Sequence, residues 1–228
     1  MKSVNSRFRE DLETEWLWRQ DELRLLQNQA AKLRQSKEVF LRSIVVMLYA
    51  HFEGFVRFAF QAYIIEINNA DLRCEEVVPA IVAATLHDAL KELRNPTKKC
   101  RLFKSSLPLD EKLHLFSREQ DFIEALDGLS GTKVKVPDKF VDTESNLKPS
   151  VLRKLLFQVG LQYDLLSTIE SSLDKLLQYR NSIAHGTMKQ GVDWKTYLGL
   201  RDTCFSAVST VMRELTDAVN NSKYKRAC

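Results

Sequence analysis

The chain has 228 residues, 44% of them apolar and 28% charged, and a formal net charge of +4. That length can bury a substantial core, and the composition is that of a globular protein rather than a disordered or collagen-like one. The modest positive charge permits a polyanionic partner without demanding one, and few Gly and Pro among many Leu, Glu, Lys, Arg and Ala favour helices over sheet.

The first helix is predicted from Asn5 or Ser6 to about Gln35, with Phe8, Leu12, Trp16, Leu23, Leu26, Ala30 and Leu33 as its apolar stripe. Near Ser36 the character changes, and either a tight turn or one bent rod leads onward. From Val39 to Ile67 the sequence is apolar nearly all round, as expected of the central helix of a bundle. Pro79, suited to a first turn, opens a third helix through Ile81, Leu86, Leu90 and Leu93 that ends at Asn95-Pro96. A basic connector follows (Lys98, Lys99, Arg101, Lys104), then a shorter helix over roughly Glu111 to Leu126, with room for two segments inside it. Gly128 to Asn146 is the least helical part. Thr132-Lys-Val-Lys-Val136 alternates like a short strand inside it, and strand and irregular loop both remain open, with a long insertion favoured over a true sheet. Pro149 opens a helix over Ser150–Val159, closed by Gly160. Ser167-x-x-Glu170 has capping-box spacing and could start the next helix, which Gly186 stops. A long last helix runs from Trp194 through Leu215, and the basic tail with Lys223, Lys225 and Arg226 is expected to fray. The expectation is one all-α domain over residues 1–228, a helical bundle with a long irregular insertion around 128–146.

Cys74, Cys100, Cys204 and Cys228 are widely scattered, with no Cys-x-x-Cys pair and no His at ligand spacing. A zinc site and a disulfide framework are therefore not expected, and a reducing compartment suits the chain. Met1 to Asp21 is charged throughout, unlike a signal peptide, and the apolar run Ile44–Ala50 is too short to span a bilayer. A cytoplasmic protein with no membrane partner is expected.

Leu173, Leu176, Leu177, Ile183 and Ala184 define one apolar face of the helix that ends at Gly186, and Arg180 falls in the middle of it. A charge there must be paired, or must lie at an interface or in a cleft. His185, in the final turn, can exchange protons near neutral pH. Together they could cleave RNA without a metal or any cofactor: His as base on a ribose 2′-hydroxyl and acid toward the leaving 5′-oxygen, Arg as a fork of donors to the phosphate. Asn181 could orient the ring or a phosphate oxygen. The plainer alternative pairs Arg180 with a core carboxylate and leaves His185 as a helix cap. Residues five apart on a helix point about 140° from one another. Either the turn before Gly186 unwinds, or two copies of the chain combine their helices about a two-fold axis.

Within the apolar helix, Glu53 could pair with Arg57 one turn on, or reach across to Arg180. Gly54, costly mid-helix, suggests close approach of another element. His51 reads as a hydrogen-bonded packing residue rather than a catalyst, and His87 and His114 as surface or packing residues. The basic connector and tail could guide an RNA backbone, or be solvated faces. Trp16 reads as core. Trp18 reads as interface, and base stacking is the other use open to both.

Arg180-Asn-Ser-Ile-Ala-His185-Gly186 resembles the Arg-x4–6-His signature of the HEPN superfamily in its Arg-Asn-x-x-x-His form. His51-Phe-Glu-Gly-Phe55 and Asp142-Thr-Glu-Ser-Asn-Leu147 resemble signatures of a bacterial stand-alone branch of it, in matching order and spacing. The resemblance implies an all-helical bundle, a homodimer, and metal-independent endoribonuclease activity on RNA, often as a toxin of a toxin–antitoxin or phage-defence locus with a partner protein. It makes Arg180 and His185 the catalytic pair, with Asn181 and Glu53 supporting. Asn146 matches the branch pattern without a role that the match assigns, and helix capping is expected of it. Since some HEPN domains only bind nucleotides or partners, a non-catalytic helical module is the alternative.

Overall fold

The computed structural model describes residues 4–102 and 110–226. These hold eight α-helices: α1 (Val4–Lys32), α2 (Lys37–Asn69), α3 (Pro79–Thr85), α4 (His87–Leu93), α5 (Glu111–Leu126), α6 (Pro149–Gln158), α7 (Glu170–Ala184) and α8 (Trp194–Asn220). The organising fact is the sequence of α2. It buries residues on every turn, among them Ile44, Leu48, Phe52, Phe55, Ala59, Tyr63 and Ile67, so it must be covered on several sides. α1, α7 and α8 do this, making α2 the centre of an all-α bundle with one contiguous core. Trp16 of α1 locks three of these helices together: its ring meets Phe55 of α2 and Phe205 of α8 edge-on, each at 5.3 Å. By length and composition α2 could also cross a membrane, contrary to the expectation drawn from the short run 44–50, and half of its most apolar window is buried inside the bundle.

A tight turn joins α1 to α2, with Ser36 at φ 59° in the left-handed region. The last loop latches onto the start of α2. Val192 donates its N–H to the Glu38 carbonyl at 2.9 Å, and Gly191 lies so close to Glu38 that a Cβ there would collide with the Glu38 Cβ.

The 128–146 insertion contains two short 3-10 turns and no strand among the described residues. Its alternation is real at the level of burial: Val134 and Val136 point inward while Lys133 and Lys135 are exposed. The segment pairs only locally, Val134 N–H donating to the Leu72 carbonyl and Cys74 N–H to that of Thr132. The Asn68 side chain then clamps the backbone of Val136 from both sides, at 2.8 and 3.0 Å. Asp193 supplies a side-chain cap to α8 through the Thr196 N–H at 2.9 Å.

Three local expectations are corrected. The helix predicted from Pro79 to Leu93 is two, broken at Leu86, as the chain turns from burying Ile81 and Ala84 to setting His87 edge-on against Phe140. The Ser167–Glu170 capping box does not form. Ile169 is the N-cap of α7, and the Glu170 carboxylate is taken instead by the Arg153 guanidinium, a charge-assisted pair that outcompetes a backbone amide. Nor does the basic tail fray through Arg226. Lys223 pairs with Glu214 and Asp217 at 2.8 and 2.7 Å, the Tyr224 carbonyl accepts from Val78 N–H, and Arg226 donates through its N–H and Nε to the Glu76 and Val77 carbonyls. Tyr224 itself is buried, its ring 6.3 Å from that of Tyr63.

The tail is thus part of the core. Tyr224→Ala is expected to destabilise the protein by about 3 kcal/mol, measured by urea unfolding.

Candidate active site

The position of Arg180 follows from its place on α7. Leu173, Leu176 and Leu177 are buried on that side of α7, which packs against α2, α8 and α6, and Arg180, on the next turn, is half-buried. Among the described residues no core carboxylate pairs with it. Its guanidinium lies over the ring of Tyr49 of α2, 4.9 Å from the centroid, and its Nη1 donates to Asn181 Oδ1 at 2.8 Å. A guanidinium sheds water more readily than an ammonium and stacks on an aromatic face, so it can lie on an apolar surface and keep donors free.

Tyr49 is 2% exposed. Its hydroxyl is buried beside Glu53 without an aligned hydrogen bond. Burial foremost, and then the Glu53 carboxylate, push the hydroxyl well above the ordinary phenol range, with the Arg180 cation opposing them. It stays a neutral phenol. Glu53, one turn further along α2, pairs with neither Arg57 nor Arg180 among the described residues, correcting both readings of it. Arg57 is exposed, and Arg180 is engaged by Tyr49 and Asn181. Glu53 Oε1 instead accepts from the buried Thr143 hydroxyl at 2.9 Å. Thr143 arrives on a tightly wound loop: Asp142 Oδ1 accepts from Glu144 N–H, and Glu144 and Ser145 both take positive φ. Asn146 is not the cap of α6. That position belongs to Lys148, and Asn146 Oδ1 is buried without a hydrogen-bond partner.

His185 sits where α7 stops. It is the C-cap residue, its N–H donating to the Asn181 carbonyl at 2.9 Å, and Gly186 follows at φ 71°. The imidazole is exposed, and no hydrogen bond or ion pair joins it to Arg180. The structure therefore unites Arg180, Asn181, Tyr49, Glu53 and Thr143 and leaves His185 on the outside of the same helix end. The last turn does not unwind to bring the pair together.

The second polar face of α2 is separate. Residues 49 and 53 lie about 40° apart on the helix, whereas 51 points about 160° from 49. His51 and Gly54 accordingly face α1. The Arg19 guanidinium of α1 occupies the space over Gly54, where a Cβ would sit 2.9 Å from its Nη1. Arg19 is held by Glu15 at 2.5 Å and by the Trp18 ring at 4.4 Å. His51, 4% exposed, has Nδ1 3.5 Å from Arg19 Nη1 and Nε2 3.2 Å from the Glu22 carboxylate, and it touches Trp18 edge-on. Burial, aided by Arg19 and opposed by Glu22, lowers its pKa. As expected, His51 is a packing residue.

The cationic tail is engaged in structure through Lys223 and Arg226, whereas in the connector Lys99 and Arg101 are exposed. Lys98 pairs with Asp121 and Glu92, His114 accepts from Cys100 N–H, and Lys104 lies outside the described residues.

A family model described as RiboL-PSP-HEPN matches residues 14–221, which include all three of these motifs. The chain belongs to the RiboL-PSP-HEPN family. No curated protein and no solved structure matches it. HEPN membership carries a nuclease or RNA-related role in general terms. Within this HEPN chain, sequence reasoning missed Tyr49 and Thr143. The signal for Tyr49 was present, since it precedes Glu53 by one turn. Thr143 lies 90 positions from its partner, and only the fold joins them.

Because folded His51 resists protonation, the unfolded chain binds more protons below about 6.5, and acidification through that value removes stability. Urea unfolding across a pH series is expected to show a shallower loss below about 6.5 for His51→Gln than for wild type.

Proposed function

We propose that the protein is a metal-independent endoribonuclease in which Arg180 and His185 carry the chemistry. The observation that supports this most is the state of the two side chains at the end of α7. The imidazole is open to solvent, and the guanidinium is held on an aromatic ring rather than neutralised by a carboxylate. His185 accepts the proton of a ribose 2′-hydroxyl as O2′ attacks the adjacent phosphorus. The P–O5′ bond breaks, and the departing O5′ takes a proton from an imidazolium. The products are a 2′,3′-cyclic phosphate and a 5′-hydroxyl. Arg180 donates to the non-bridging oxygens as negative charge builds on them. Tyr49 is the platform that fixes the guanidinium, Asn181 orients it, and the Thr143–Glu53 hydrogen bond fixes the carboxylate beside Tyr49.

One chain presents the two groups on different sides of one helix end. A homodimer resolves this, because a two-fold axis beside α7 would bring His185 of one chain toward Arg180 of the other. An enzyme so built needs restraint inside a cell. We assign it to the toxins of toxin–antitoxin or phage-defence loci, silenced by a partner protein that covers the exposed His185.

Purified protein is expected to cleave RNA equally with and without EDTA, and His185→Ala to lose at least a hundredfold in rate. Equal behaviour of wild type and His185→Ala would establish the non-catalytic binding module instead. Tyr49→Phe, which keeps the aromatic face, is expected to retain most of the activity. Tyr49→Leu should lower kcat roughly fivefold for the loss of about 1 kcal/mol of cation–π contact, with the melting temperatures of both variants measured alongside.

A further inference from the structure

The end of α7 carries a feature that the catalytic pair does not use. On one side of its last turns lies a cleft of about 480 Å³, within the range of roughly 300–1,000 Å³ that holds small ligands. Gln178, Tyr179 and Ser182 of α7 form one wall, and Thr187, Lys189 and Gln190 the other. Among the described residues no carboxylate lines it.

The second wall is held in place before any ligand arrives. Met188 N–H and the Thr187 hydroxyl both donate to the Ser182 carbonyl, at 3.0 and 3.1 Å. Arg42 of α2 reaches across to the Lys189 carbonyl at 2.6 Å. The next residue but one, Gly191, is wedged against Glu38, and Val192 is hydrogen-bonded to it. A cleft fixed this way costs little to order on binding.

Its position on α7 points to its use. Gln178, Ser182 and His185 are spaced i, i+4, i+7, which places them in one row along the helix surface. The row leads from the cleft to the imidazole. The lining suits a base: two primary amides each offer a donor and an acceptor to a base edge, a half-buried tyrosine ring offers a stacking face, and Lys189 offers a cation to the backbone.

We propose that this cleft receives a nucleobase of the substrate RNA next to the cleaved phosphodiester, with Gln178 and Gln190 reading its edge. The assignment rests on the endoribonuclease reading for its substrate and adds the element that selects where the chain is cut.

The test uses full-length protein and AMP, GMP, CMP and UMP as probes, with ribose 5-phosphate as the control that lacks a base. Binding is followed by NMR through the side-chain amides of Gln178 and Gln190 and the backbone amides of Ser182 and Thr187. The expected result is that nucleotides shift these signals and differ in affinity by base, that ribose 5-phosphate leaves the glutamine amides unmoved, and that Gln178→Ala with Gln190→Ala weakens the best nucleotide about tenfold. Both glutamines are exposed, so the variant folds, which circular dichroism verifies. Equal shifts with ribose 5-phosphate, or unchanged affinity in the double variant, would overturn the proposal. Sequencing of RNA cleavage products separates it from the catalytic reading. A double variant that cleaves with the wild-type base preference sinks the subsite alone. Base-selective binding in a protein that cleaves no RNA sinks the nuclease and leaves the cleft as a nucleotide site.

Discussion

A helix that is apolar on nearly every side leaves few places for a polar group, and a polar side chain that α2 buries has to be met by a neighbour. Tyr49 and Glu53 share one face and His51 and Gly54 another, so the short motif Tyr49–Phe55 serves two sides of the bundle at once. Toward α1 it accommodates Arg19 and buries His51. Toward α7 and the 142–147 loop it makes a floor of one aromatic ring and one carboxylate. The second floor is what lets α7 keep a guanidinium on a face otherwise made of leucine. A lone charge there would be destabilising, whereas a guanidinium over a buried phenol is stabilised and still has donors free.

That arrangement divides the labour at the end of α7. Arg180 is restrained by α2, whereas His185 is held by the helix stop at Gly186. The helix is regular to Ala184, so the angular offset between the two residues persists in the folded chain. A second copy is the simplest way to bring the complementary group to each. The base cleft proposed beside Ser182 would then lie along the same row as the histidine, and substrate selection and proton transfer would share one rigid helix.

Much of this was legible in the sequence, for identifiable reasons. Long periodic segments marked α1, α5 and α8 and a run apolar nearly all round marked α2, close to their observed bounds, and Pro149 and Gly160 bracketed α6. Arg180 stood out because it interrupts an apolar stripe. What escaped was tertiary. The break at Leu86 carries no Pro or Gly, and a good local capping signal at Ser167 lost to the Arg153–Glu170 pair. The tail looked basic and loose until Tyr224 was seen in the core, and Glu53 found a hydroxyl on a distant loop where helix spacing had offered only cations.

Subunit mixing tests the two-chain site most directly. Arg180→Ala and His185→Ala chains carrying different tags are co-expressed, and the mixed dimer is isolated through both tags. Each parent alone is expected to be inactive. If Arg180 of one chain works with His185 of the other, one of the two sites in the mixed dimer is intact, and RNA cleavage returns to about half the wild-type rate. A mixed dimer as inactive as its parents would contradict the shared site and return both residues to a single chain.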